Sequence, residues 1–146
     1  MDYRIETVKS FDVVGIQIRT SNEKAVETIG PLWGRFFDEG LADKIPGRVD
    51  DCTYGVYDTY ESDHTGEYNL LVGCKVSSDK TPPGMKRVKI KGGKYAVITA
   101  KGEMPEALIN AWVAIWNSGL PRAFTQDFEL LDPSKADQEE IWIALI

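Results

Sequence analysis

Apolar and polar residues alternate from the start of the chain, in YRIETV and then VVGIQIRT. Period-two alternation places successive side chains on opposite faces of a strand. The pattern then lengthens. SNEKAVETIGPLWGRFFDEG has helical spacing, with Ser21 at the start as a candidate N-cap and Gly40 at the end in the C′ position. Pro31 inside this stretch predicts a kink or a split into two helices. Two strands, TYGVYDTY and EYNLLVGCKV, follow the loop ADKIPGRVDD and are joined by the polar turn ESDHTGE. The order then recurs. KRVKIKGGKYAVITAKG predicts a strand pair around Gly92 and Gly93. PEALINAWVAIWNSG is an amphipathic helix with Leu108, Ala111, Trp112, Ile115 and Trp116 on one side and Gly119 as the stop. FELL and IWIALI close the chain as strands.

The two helix ends share one pattern. Trp33-Gly-Arg-Phe36-Phe37-Asp38-Glu39-Gly40-Leu41 and Trp112-Val-Ala-Ile115-Trp116-Asn117-Ser118-Gly119-Leu120 share the pattern W-x-x-[FI]-[FW]-[DN]-x-G-L, 79 positions apart. Each copy follows a strand and precedes two more. This predicts one domain over residues 1–146, built as a duplicated strand–helix–strand–strand unit, about 1–80 and 81–146. Neither unit can bury its helix face alone. Two copies packed about a pseudo-two-fold axis leave a groove on that axis, and such grooves hold ligands.

Charge and composition narrow the function. The chain has 146 residues, 42% hydrophobic and 27% charged, which suits an ordinary globular core. Its net charge is −6, so phosphate backbones are repelled and direct nucleic-acid binding is not expected. The basic run MKRVKIKGGK alternates with Val88 and Ile90, as the solvated side of a strand does. Apolar runs such as YNLLVG are too short to span a membrane, and no signal-peptide stretch opens the chain. A cytoplasmic protein is expected. Cys52, Cys74 and the single His64 supply no zinc ligand set and no nucleophile–histidine pair, so no metal and no cofactor are expected.

The acid in FELL raises the sharper question. Phe128 and Leu130 share one strand face, and Glu129 points to the other. That face is either solvent, shared with Asp127, or the lining of the groove. The aromatic residues leave similar alternatives. Trp33 with Phe37, and Trp112 with Trp116, stand four apart and fit a core stripe or a groove wall. Tyr57 faces away from Tyr54 and Tyr60, on a strand just after the first helix, roughly where Glu129 stands after the second. Tyr68 and Trp142 lie on the last strand of each half, and both faces of IWIALI look apolar.

The repeated unit, with YGVYDTYESDHTGEYNLLVGCKV, GKYAV, AWVAIW, LPRAFTQDFELLD and EEIWIAL in this order, resembles the GyrI-like effector-binding domains, and most of all the integron-associated, Cass2-like branch. The resemblance covers nearly the whole chain. It implies an α+β fold of antiparallel sheets and two main helices around a central ligand groove. It implies a pocket for small molecules, often cationic and lipophilic, supported by an acid at the position of Glu129. Relatives commonly carry an aromatic residue two positions later, where this chain has Leu131. In regulators this module is fused to a helix-turn-helix domain that this sequence does not contain, so a regulatory role implies a protein partner carrying the DNA-binding part; sequestration of the ligand is the alternative role. The ligand-binding candidates are therefore Glu129, Tyr57, Trp33, Phe37, Trp112, Trp116, Tyr68 and Trp142. The resemblance also carries two alternatives: hydrolysis of strained, cyclopropane-containing compounds with Glu129 as base and Tyr57 assisting, and interaction with DNA gyrase.

Overall fold

A computed structural model describes all of residues 1–146. Eight strands and two α-helices follow one another as β1 (Arg4–Val8), β2 (Phe11–Ser21), α1 (Ala25–Asp38), β3 (Thr53–Asp58), β4 (Glu67–Val76), β5 (Lys86–Ile90), β6 (Gly93–Lys101), α2 (Glu106–Trp116), β7 (Arg122–Leu131) and β8 (Gln138–Leu145). The fold is α+β. All strands join one antiparallel sheet in the order β1-β6-β8-β7-β3-β4-β2-β5. The halves of the chain meet at the central pair β3–β7, where Gly55 stands opposite Glu129 and Tyr57 opposite Asp127. Each half lends its first strand to the other: β1 pairs with β6 and β5 with β2.

Alternation sorts the side chains onto two buried faces. Val14, Ile16, Tyr68, Leu70, Val72 and Cys74 pack beneath α1, against Leu32 and Phe36. Ala96, Ile98, Ile141 and Ile143 pack beneath α2, against Ile115. The opposite face carries no helix, yet Val13, Tyr54, Val56, Leu71, Ile90, Tyr95 and Phe128 are buried there together. Ile90 comes from one edge of the sheet and Tyr95 from next to the other, so the sheet curls until its ends share a core. Gln126 closes that curl from the middle strand: its amide donates to the Lys89 carbonyl at 2.7 Å, and its carbonyl oxygen accepts from the Lys91 amide at 2.8 Å. With both faces covered, strands such as β3 are buried over nearly their whole length, which is why a simple inside–outside reading of them is ambiguous.

Three local expectations are corrected. Pro31 does not divide α1 into two helices; the helix runs through it from Ala25 to Asp38, preceded by a 3-10 turn at Asn22–Lys24. Pro31 is exposed, so water can serve the carbonyl that its missing N–H leaves free. Gly92 and Gly93 do not turn a hairpin. Strands β5 and β6 lie toward opposite ends of the sheet, and the chain crosses between them. Gly119 is not the residue that ends α2, which stops at Trp116 with Asn117 as C-cap. Gly40 does end α1, in the left-handed conformation at φ 59°.

Gly15 and Gly73 face each other across β2 and β4. A Cβ at Gly15 would lie 1.9 Å from the Val72 carbonyl oxygen, which is backbone and cannot swing aside. Gly15→Ala is therefore expected to destabilise the fold by about 3 kcal/mol or more, by the overpacking cost of a core site that cannot relax. A urea or thermal melt of the variant checks it, and a change of less than about 1 kcal/mol would contradict the close approach.

Candidate functional site

Between α1, α2 and the helix-bearing face of the central strands lies a cavity of about 440 Å³. Its position follows from the packing of the helices. Leu32 and Phe36 of α1 are buried against the sheet, as is Ile115 of α2. The next positions round each helix, Ile29, Trp33 and Phe37 on α1 and Leu108, Trp112 and Trp116 on α2, turn to the space between them. Helical spacing thus gives each helix two apolar faces, one for the core and one for the cavity.

Glu129 forms the floor. It is 2% exposed. The Tyr57 hydroxyl donates to its Oε1 at 3.0 Å, and the Trp112 indole N–H donates to its Oε2 at 2.7 Å. Both donors are neutral, and no ion pair reaches this carboxylate. Burial pushes its pKa up to about 7; the nearby charge of Glu139 pushes the same way, while the hydrogen bonds from Trp112 and Tyr57 oppose the rise. Gly55, directly across in β3, makes room for this arrangement. A Cβ there would lie 2.7 Å from the Trp33 ring and 3.3 Å from Glu129 Oε1.

Aromatic rings surround the acid. Tyr57 meets Tyr68 and Trp112 edge-on, each with centroids 5.4 Å apart. Trp33 stacks on Phe37 at 6.2 Å, and Trp112 leans on Trp116 at 6.4 Å. Tyr68 is buried, and its hydroxyl donates to the Asn22 side-chain oxygen at 2.6 Å. Phe37 is half exposed, and with Ile109 it forms an apolar rim. Leu131 lines the cavity where relatives' aromatic residue was expected to stand.

Seven of the eight candidate residues therefore converge: Glu129, Tyr57, Trp33, Phe37, Trp112, Trp116 and Tyr68. Trp142 does not. It lies on the opposite face of the sheet, stacked on Phe128 at 5.3 Å, with Arg4 5.9 Å from its ring centroid. Its even position in β8 puts it beside Ala144, away from Ile141 and Ile143. Asp127 shares Glu129's face but is fully buried rather than solvated. It accepts from Arg122 at 2.9 Å, from the Ala144 amide at 3.0 Å and from the Tyr60 hydroxyl. Asp127 thus has a buried guanidinium as counter-charge, and Glu129 has none.

Tyr60, His64, Arg122 and Glu139 also line the cavity. Tyr60 was expected opposite Tyr57. Thr59 adopts φ 53° just after β3 ends, which breaks the alternation and brings Tyr60 round to Tyr57's side. His64 reaches the mouth from the β3–β4 loop and stacks on Trp116 at 5.5 Å with an 8° interplanar angle. Nothing in ESDHTGE signals that contact. Glu139 was within reach of sequence reasoning, since it alternates with Ile141 and Ile143 and so must share their face.

The chain matches the model of the integron-associated effector binding protein family over residues 4–145, and it belongs to that family. Among solved structures, the integron cassette protein Cass2 of Vibrio cholerae superposes with a TM-score of 0.80 at 32% identity, over 99% of this chain and 95% of that one. A second fold neighbour, SAV2435 bound to tetraphenylphosphonium, has a TM-score of 0.79 at 20% identity, over 98% of this chain and 93% of that one. The transcriptional regulator BrlR of Pseudomonas aeruginosa is 32% identical over 139 residues, which are 90% of this chain and 48% of BrlR. This chain thus spans about half the length of that regulator. No helix here is long and apolar enough to cross a membrane.

The raised pKa of Glu129 has a consequence for stability. A carboxyl whose folded pKa lies above its unfolded value near 4.5 binds more protons when folded, so stability falls as pH rises from about 4.5 to about 7. Glu129→Gln removes that cost. At pH 8 and without ligand the variant is expected to be more stable than the wild type by roughly 1–3 kcal/mol, with the gain vanishing near pH 4.5. Urea unfolding at the two pH values measures it; a variant less stable at pH 8 would show that the carboxylate is compensated.

Proposed function

We propose that this protein binds small lipophilic organic cations in the aromatic cavity, with Glu129 as the charge that answers them. The observation that carries this reading is a fully buried carboxylate held by two neutral donors and no cation. An ionised carboxylate in such a place is costly until a positive charge arrives. The rings of Tyr57, Tyr68, Trp33 and Trp112 offer faces and edges to the same ligand, and a cation over an aromatic face is attracted by its quadrupole. A fold neighbour was solved with tetraphenylphosphonium, a cation of this class. The strand order, which reads the same from either end when the halves are exchanged, supports a duplicated unit with the cavity between its copies.

The relation to BrlR supports a regulatory role, in which ligand occupancy is passed to a DNA-binding region or partner. Sequestering the ligand is the simpler use of the same cavity. A second reading rests on the same acid: a carboxyl near pKa 7, desolvated and beside Tyr57, is suited to act as a general base on a strained electrophilic ring. Incubation with a cyclopropane-containing cation and mass analysis separates binding from turnover, since only turnover adds water to the compound.

Binding of a fluorescent lipophilic cation tests the main reading. Glu129→Gln is expected to weaken it by about 10- to 100-fold, the worth of one charge-assisted contact. In the wild type the ligand must displace the proton, so affinity is expected to rise about tenfold between pH 6 and pH 8. The titratable and charged groups that share the cavity with Glu129 are Tyr57, Tyr60, Tyr68, His64, Arg122 and Glu139; burial raises all three tyrosine pKa values above their usual range, so none of them titrates in that window, and the same profile measured on Glu129→Gln separates Glu129 from the rest. Equal affinities for variant and wild type, or a flat profile across that window, would remove Glu129 from the site.

A further inference from the structure

We infer that the cavity carries a second cation anchor, Glu139, and that it selects elongated ligands bearing two positive charges over their singly charged counterparts. This rests on the reading of Glu129 above and adds the ligand's charge pattern. Register places the two acids. Glu129 pairs with Ile141 across β7 and β8, and Leu130 pairs with Glu140. Glu139 is therefore the diagonal neighbour of Glu129 on one sheet face, a backbone separation of about 7–8 Å. Both side chains line the same cavity.

Glu139 differs from its neighbours in having nothing to balance it. Glu140, on the other face, accepts from Arg4 at 2.9 Å and from Trp142. Asp127 has Arg122. Glu139 is half-buried, and burial alone raises its pKa, with no donor or cation opposing the rise. Its charge also raises the pKa of Glu129. Like charges at this spacing repel, and a single cation at Glu129 relieves only part of that repulsion. A ligand with a second charge at matching distance relieves all of it. The two acids also differ in access: Glu129 lies on the closed floor, whereas Glu139 keeps some exposure, so a long ligand can enter with one charge leading and the other trailing. The half-exposed, apolar rim of Phe37 and Ile109 leaves that path open.

Three probes decide the matter by calorimetry or tryptophan quenching: tetraphenylphosphonium, pentyltrimethylammonium, and pentamethylene-bis(trimethylammonium). The wild type is expected to bind the bis-cation about tenfold more tightly than its one-charged counterpart. In Glu139→Gln the ratio of the two affinities is expected to fall toward one. A thermal melt of that variant shows that it is folded, and the wild-type ratio needs no variant at all. A wild-type ratio near one, or a ratio unchanged by Glu139→Gln, overturns the second anchor. If tetraphenylphosphonium binds while the ratio is near one, only this inference falls. If none of the three binds, the reading of Glu129 falls with it.

Discussion

A carboxylate held in the protein interior by a phenol and an indole ties together three separate parts of this chain. Glu129 sits on β7, Tyr57 on β3 and Trp112 on α2. The two bonds fix the second helix over the seam where the halves of the sheet meet. They also leave the acid short of a counter-charge. Neutral donors lower the cost of its ionisation without cancelling it, so the proton stays on to near neutral pH. That imbalance sets the electrostatics of the cavity: a carboxyl whose ionisation costs stability faces its open space.

The contrast with Asp127, two residues away on the same strand face, sharpens the point. Both acids are buried. Asp127 has a guanidinium, a backbone amide and a tyrosine hydroxyl around it, which makes it part of the framework. A buried acid with its own arginine has little left to offer a cation. One strand thus carries a charge-balanced acid and an unbalanced acid side by side, and the difference lies entirely in what the tertiary fold brings to each.

The cavity stays open because the helices are anchored elsewhere. Phe36 and Leu32 hold α1 to the sheet, and Ile115 holds α2. The indoles can then line a space instead of filling it. Gly55 contributes by absence: any side chain there would meet the Trp33 ring. On the reverse face the curled sheet forms a core of its own, so the strands beneath the cavity are supported from behind and do not need the helices to collapse inward.

Much of this was written in local pattern. The order of strands and helices, the end of α1 at Gly40 and the repeated W-x-x-[FI]-[FW]-[DN]-x-G-L ends depend on periodicity and capping, which act over a few residues. The same periodicity put Phe128 and Glu129 on opposite faces, but it could not name the face. That choice belongs to the tertiary structure, because strands covered on both sides look apolar in both registers. Trp142 was misjudged for that reason, and the course of β5 and β6 because strand pairing is non-local. Tyr60 and His64 reached the cavity through one backbone angle at Thr59 and one loop conformation, neither of which leaves a mark in residue type. The chain alone thus determined which elements form and that Glu129 and Phe128 part company. Only the packing of two helices against a curled sheet decided that the acid would lie buried, unbalanced and facing an open space.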